Sequence, residues 1–290
     1  MKNLFGTILT ILVLAGLSIG ISSLISRQSS TNFLSDARPQ KNTTQLDAKN
    51  LPPLPEVFSD VPVPPSATKA TETITPTPIA EEKYTLDRYY NVIPVTPGGD
   101  RKVVLITVDD GPIATSTLGP MLETFAQYNV HALFFVLGSR VSAHPELLKK
   151  IVDGGHTIGN HTWDHPNLKN SSNASIKSQI DRTSALLEKT IGTTPHFFRP
   201  PYGSSNTYTQ NYVKEKKMLF MTWSLGAEDW IKKYQSGDAL AEHVLSGVAP
   251  GSNILLHEHA WTRDALDRII VGILDKGYTI IDPKDIVLPE

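Results

Sequence analysis

The chain has 290 residues, a net charge of -2 and no cysteine. Disulfides, thiolate metal sites and a lipid-modified N-terminal cysteine are thereby excluded, and without a Lys/Arg cluster a nucleic-acid role lacks its electrostatic footprint. A 40% hydrophobic content suffices for a sizeable core, most of it after about residue 100, where the apolar runs collect.

Met1, Lys2 and Asn3 precede an uncharged stretch, residues 4–25 (LFGTILTILVLAGLSIGISSLI), about the 20 residues that cross a bilayer as a helix. It is apolar on every face and begins at the terminus, unlike a buried globular helix. The stretch is long for a signal-peptide apolar region, and Gly20, Ser22 and Ser23 form no clean Ala-x-Ala site. An uncleaved membrane anchor is therefore favoured over a cleaved signal for residues 1–27. Lys2 suggests a cytoplasmic N-terminus, against which Arg27 counts on the other flank. The remainder is expected outside the cytoplasm, membrane-anchored or, after cleavage, secreted.

Residues 28–97 carry Pro, Thr and Ser without sustained periodicity (PPLPEVFSDVPVPP, TETITPTPIA) and read as an extended tether spanning roughly 45 Å. Within it Tyr84 to Val95 (YTLDRYYNVIPV) has the aromatic and β-branched content of a lead-in segment that packs on the following domain. That domain, residues 98–290, alternates short apolar runs with amphipathic stretches, the pattern of a parallel β/α architecture. Strands are expected at 103–108, 132–137, 157–159, 196–199, 219–224, 253–257 and 278–282, and helices at 118–128, 145–153, 174–191, 207–217, 238–247 and 263–276. Gly154-Gly155, Gly192 and Gly277 stand where helices should stop.

In such folds chemistry gathers at the C-terminal ends of strands. Asp109 and Asp110 end the first strand; His161 and His165 follow the third; Arg199, Pro201 and Tyr202 follow the fourth; Asp229 and Trp230 follow the fifth; His257 ends the sixth. Adjacent carboxylates at a strand end repel, which implies a cation or hydrogen-bond donors to satisfy them. Asp110 is the better ligand, leaving Asp109 to take a proton from water. His161 and His165, four apart, would face one side of a helical turn. Two imidazoles with one carboxylate suit zinc or another divalent transition ion such as cobalt, manganese or nickel better than magnesium or calcium. Taken alone, the acidic pair reads equally well as an Asp-Gly turn and RPPYG as a proline-stiffened loop with a surface Arg. As site elements, Arg199 would hold Asp109 ionised and lower its pKa, and the RPPYG turn could aim backbone N–H groups at an oxyanion. His257 could act as general acid with Asp229 as its partner. His131, His144, His156, His196, His243 and His259 read as packing, caps or surface, His259 lying two residues beyond His257.

The ordered motifs TVDDGP, GNHTWDH, RPPYG, EDW and LLH resemble those of the NodB-homology polysaccharide deacetylases, carbohydrate esterase family 4, over about residues 102–285. The resemblance implies a distorted (β/α)7 barrel. It also implies Asp109 as catalytic base, Asp110, His161 and His165 as metal ligands, and Arg199 orienting the base. Tyr202 would supply the oxyanion N–H, Asp229 would support His257 as general acid, Trp230 would line the groove, and Leu255 would form the acetyl pocket. The implied reaction is hydrolysis of the N-acetyl group of an N-acetylhexosamine unit, releasing acetate. The chain departs from the family pattern at Gly226 and Glu258, where Asp is common, and at Val108, where Phe is usual. The export segment and tether favour N-acetylglucosamine of peptidoglycan in the cell wall as substrate. Chitin oligomers, poly-N-acetylglucosamine, N-acetylmuramic acid, a small amide, or non-catalytic glycan binding are the alternatives. A monomer is expected.

Overall fold

The computed structural model describes residues 83–289. The expected anchor at 4–25 and most of the tether lie outside the described residues. Among the described residues no helix is long and apolar enough to cross a membrane.

A short antiparallel hairpin, β1 (Tyr84–Leu86) and β2 (Val92–Pro94), leads into a parallel sheet. Its strands in chain order are β3 (Val103–Asp109), β4 (Leu133–Val136), β5 (Thr157–Asn160), β6 (Phe197–Phe198), β7 (Leu219–Phe220), β8 (Leu225–Gly226), β9 (Ser252–His257) and β10 (Thr279–Ile280). The spatial order is β7-β6-β5-β4-β3-β9-β8, with β10 alongside the first residues of β3. Around it lie α1 (Thr115–Gln127), α2 (Gly138–Ala143), α3 (Pro145–Asp153), α4 (Asn173–Ile191), α5 (Thr207–Glu215), α6 (Gly237–Gly247) and α7 (Ala260–Asp275). The result is an α/β fold with a curled parallel sheet.

Parallel strands covered on both faces read as unbroken apolar runs, and β3 (VVLITVD) is buried along its whole length. Its alternation nevertheless has two meanings. Val104, Ile106 and Val108 point outward into a cluster with Leu118, Met121 and Phe125 of α1 and Ile269, Ile270 and Ile273 of α7. Val103 and Leu105 point inward, against Leu133, Phe135, Phe197, Met221 and the hairpin residues Tyr84 and Val92. Thr107 and Asp109 share the inward parity, so the lining of the curl changes from apolar to polar toward the C-terminal ends of the strands. On β9, Asn253, Leu255 and His257 repeat this inward series beside it, with Asp109 in register with His257.

One expectation requires correction. The strand expected at 219–224 is only β7 at its start, paired with β6; β8 lies beyond the expected range and pairs with β9, and no ladder joins the two. The chain crosses the seam at Thr222–Ser224 because the Thr222 carbonyl is taken by side chains, accepting from Arg199 Nη2 at 2.7 Å and Asn253 Nδ2 at 3.1 Å. The lead-in hairpin packs on the domain as expected: Tyr84 and Val92 join the inner apolar cluster, and Tyr84 pairs with Ile286. Helix stops follow the expected glycines: Gly192 closes α4 at φ 75°, its N–H bonded to Glu188 O. The six-residue α2 is too short for periodicity to reveal.

Candidate active site

The inward ends of β3 and β9 and the loops after β5, β6 and β8 enclose one cleft of about 450 Å³, lined by Asp109, Asp110, His161, His165, Tyr202, Trp223, Trp230, Leu255, His257 and His259.

Asp109 is buried at the end of β3. Its Oδ1 accepts from Arg199 Nη1 at 2.6 Å, and its Oδ2 lies 3.7 Å from His161 Nε2. Arg199 is fully buried rather than on the surface, its guanidinium carbon 4.2 Å from the Phe135 ring centroid. Nη1 also donates to Thr107 Oγ1 at 2.7 Å, and Nη2 reaches Thr222 O and, at 3.4 Å, Asn253 Oδ1. The expectation that Arg199 would depress the Asp109 pKa describes only the smaller effect. Burial pushes the carboxyl up, Arg199 offsets this in part, and the group ends above the ordinary carboxylate range.

The loop after β5 departs from the helical turn expected for His161 to His165. Thr162 and His165 adopt left-handed backbone, φ 72° and 60°, and fold the segment so that the two imidazoles lie 5.1 Å apart. Buried Asn160 fixes the loop: its Oδ1 accepts from Thr162 N, and its Nδ2 donates to Ile180 O and Ser184 Oγ. Gln179 Oε1 from α4 accepts the Trp163 and Asp164 N–H groups.

Asp110, also left-handed at φ 71°, places its Oδ1 3.5 Å from His161 Nε2 and 3.3 Å from His165 Nε2. His161 Nδ1 lies 2.8 Å from Arg199 O, and a carbonyl only accepts, so Nδ1 carries the proton. Burial holds His161 down to about 3 and lowers His165, so His161 is a neutral imidazole whose Nε2 lone pair faces Asp110. Asp110 Oδ1 is buried and has no hydrogen-bond partner. Acceptors directed at one another with no proton between them are stable around a cation. These donor atoms lie within 4.8 Å of one another, so the residues fit a divalent metal.

Across the cleft His257 Nδ1 meets Asp229 Oδ1 at 2.7 Å. Asp229 is itself buried, with Oδ2 accepting from His257 N at 2.7 Å and Thr262 Oγ1 at 3.0 Å. Burial alone would lower His257, but the bond and charge of Asp229 outweigh it and the imidazole is raised. Trp230 stands edge-on to His257 at 5.4 Å and is 48% exposed. Leu255 is buried beneath. Tyr202 sits in a left-handed turn, φ 60°, its ring 4.5 Å from His165; the turn's backbone bonds are donated by Gly203 and Ser204, not by Tyr202. Pro201 is buried in the same turn.

Five residues of this machinery escaped the sequence reading. Thr107 and Asn253 could have been found from strand parity, each two positions from a chosen residue. Trp223 had no local signal, and His259 carried only its place two residues beyond His257. Glu258, noted only as a departure, accepts the Ile113 and Ala114 N–H groups at 2.9 Å each and so pins the loop after β3. A Cβ at Gly111 would come within 2.8 Å of its Oε2.

The sequence profile of polysaccharide deacetylases matches residues 97–221. The chain is 35% identical over 181 residues to the peptidoglycan N-acetylglucosamine deacetylase PgdA of Listeria monocytogenes, and 36% identical over 183 residues to the peptidoglycan N-acetylmuramic acid deacetylase PdaC of Bacillus subtilis. These alignments cover 62% and 63% of this chain but only 38% of each relative. The Bc1960 peptidoglycan N-acetylglucosamine deacetylase, solved with a bound N-hydroxybenzamide derivative, superposes with a TM-score of 0.60 at 34% identity, covering 63% of this chain and 86% of that one. With the profile, this identity and this coverage in agreement, the chain belongs to the polysaccharide deacetylase family.

Proposed function

We propose that this chain is a divalent-metal-dependent deacetylase that removes N-acetyl groups from N-acetylglucosamine units of peptidoglycan. One observation carries the reading: a buried carboxylate on an arginine and an imidazole on a carboxylate face one cleft that the Asp110, His161 and His165 donors also line. The names of the relatives support the substrate class.

A cation held by Asp110, His161 and His165, zinc for preference by its donor set, would supply Lewis acidity toward the acetyl carbonyl and toward water. Asp109, raised by burial and aimed by Arg199, takes the proton of the attacking water. The Tyr202 N–H meets the oxygen on which negative charge develops. His257, kept protonated by Asp229, donates to the departing amine. Leu255 packs the acetyl methyl, and Trp230 with Tyr202 flanks the sugar. Arg199 fixes Asp109 through Oδ1, and His257 N and Thr262 Oγ1 fix Asp229 through Oδ2 while Oδ1 stays on the His257 imidazole.

The apolar stretch at 4–25 and the tether behind it would hold this domain outside the cytoplasm, anchored or released by cleavage, within reach of the wall. PdaC gives N-acetylmuramic acid a specific claim as the alternative sugar. The deciding measurement is acetate release from N-acetylated peptidoglycan and from chitin oligomers, with zinc and with chelator. Metal-dependent release from peptidoglycan, reduced about a thousandfold or more in Asp109→Asn, is expected. Release from chitin oligomers alone would overturn the substrate, and none from any glycan would overturn the activity.

A further inference from the structure

We propose that His257 and His259 form a second, weaker divalent-cation site in the same cleft, and that its occupation withdraws His257 from proton donation. The functional half rests on the deacetylase reading above; the binding half does not.

His259 is the residue before α7, where a side chain usually caps the helix, yet its side chain makes no capping bond. Its ring lies instead between His257, at 5.8 Å and 29° from parallel, and Trp261, at 4.6 Å. The backbone holds it there: His259 N donates to His257 O at 2.8 Å, and His259 O accepts from Arg263 N at 3.0 Å. Both imidazoles line the cleft, and donor atoms of Asp229, His257 and His259 fall within 4.8 Å of one another. The ring separation is close to the 5.1 Å of the His161–His165 pair.

Asp229 does not act as a ligand in this arrangement, because its two oxygens are already bonded to His257 Nδ1, His257 N and Thr262 Oγ1. It stands behind His257 as the carboxylate that orients a metal-bound imidazole and raises its basicity, leaving Nε2 as the free donor. Two imidazoles completed by water select the same ions as the Asp110 site, with lower affinity because the carboxylate charge is missing. An Nε2 lone pair committed to a cation cannot carry a proton, so excess metal opposes the reaction that the first ion supports.

The test is zinc binding to the full chain by equilibrium dialysis, paralleled by acetate release from peptidoglycan across the same zinc range. The wild type is expected to bind two ions, the second about tenfold or more weakly than the first. His259→Ala should keep the tight ion and lose the weak one, while Asp110→Ala combined with His161→Ala should do the reverse. Acetate release by the wild type should rise and then fall several-fold as zinc increases, and in His259→Ala the fall should move to about tenfold higher zinc or vanish. A single ion in the wild type up to millimolar zinc, or an unchanged weak ion in His259→Ala, would overturn the proposal. Two ions bound without acetate release at any zinc level would sink the deacetylase reading and leave the second site standing.

Discussion

The proton chemistry of this cleft is set by which neighbour each titratable group was given. Asp109 and Asp229 are both buried carboxylates, yet one faces a guanidinium and water-accessible space while the other is enclosed by an imidazole, an amide and a hydroxyl. The Asp229 charge keeps His257 above its ordinary value, and the donor form of His257 disappears as pH rises through that raised value. Asp229→Asn removes the cause, so the alkaline limb of the kcat/KM profile is expected to move to lower pH; an unmoved limb would show that another group sets it. Thr107 acts one step further back. Its hydroxyl donates to Ile254 O at 2.8 Å, which turns its lone pair toward Arg199 Nη1 at 2.7 Å. Thr107→Val keeps the shape and removes that acceptor, and kcat is expected to fall about tenfold with KM little changed. A matching rise in KM alone would place Thr107 in substrate binding instead.

At the scale of elements, what could be read in advance was whatever depended on local pattern. The apolar runs of β3, β4 and β9, the long helices α4 and α7, and the glycine stops all follow from side-chain period and backbone freedom. The acidic pair, the two histidines, RPPYG and LLH were legible because each sits at a strand end, where this architecture collects chemistry. Two features were not. The loop from His161 to His165 closes through left-handed residues, Thr162 and His165, that no propensity favours, held by Asn160 and Gln179 from outside the segment. The break between β7 and β8 depends on long-range bonds to Thr222 O, which a run of apolar residues cannot announce. The inner apolar layer beneath the site is a separate, testable element. Leu105 is fully buried among Leu133, Phe135 and the hairpin residues, and Leu105→Ala is expected to cost about 3 kcal/mol in chemical denaturation. A loss below about 1 kcal/mol would mean that the hairpin collapses into the space.

For the whole molecule, pH bears on stability through a residue outside the cleft. His156 is buried between Phe125 and Phe134, and its Nδ1 accepts the Ala132 N–H at 3.0 Å. Burial lowers it to about 4, whereas the unfolded chain keeps it near 6.5. The neutral form is thus favoured on folding, so the contribution is complete above about pH 6.5 and is lost as pH falls toward about 4, by about 3 kcal/mol at most. Denaturation midpoints of the wild type should decline across that window. His156→Leu should flatten the decline, and an unchanged slope would assign it elsewhere.

The open seam between β7 and β8 has a consequence for how this chain can change. One guanidinium reaches it from inside the curl, bonding Thr222 in the crossing segment while also holding Asp109 and Thr107 on β3. Arg199 is therefore shared between architecture and chemistry, and variation there cannot trade one for the other as it does at most active-site positions. A selection for thermal robustness that ignored turnover, and a selection for turnover that ignored robustness, would converge on the same side chain at position 199.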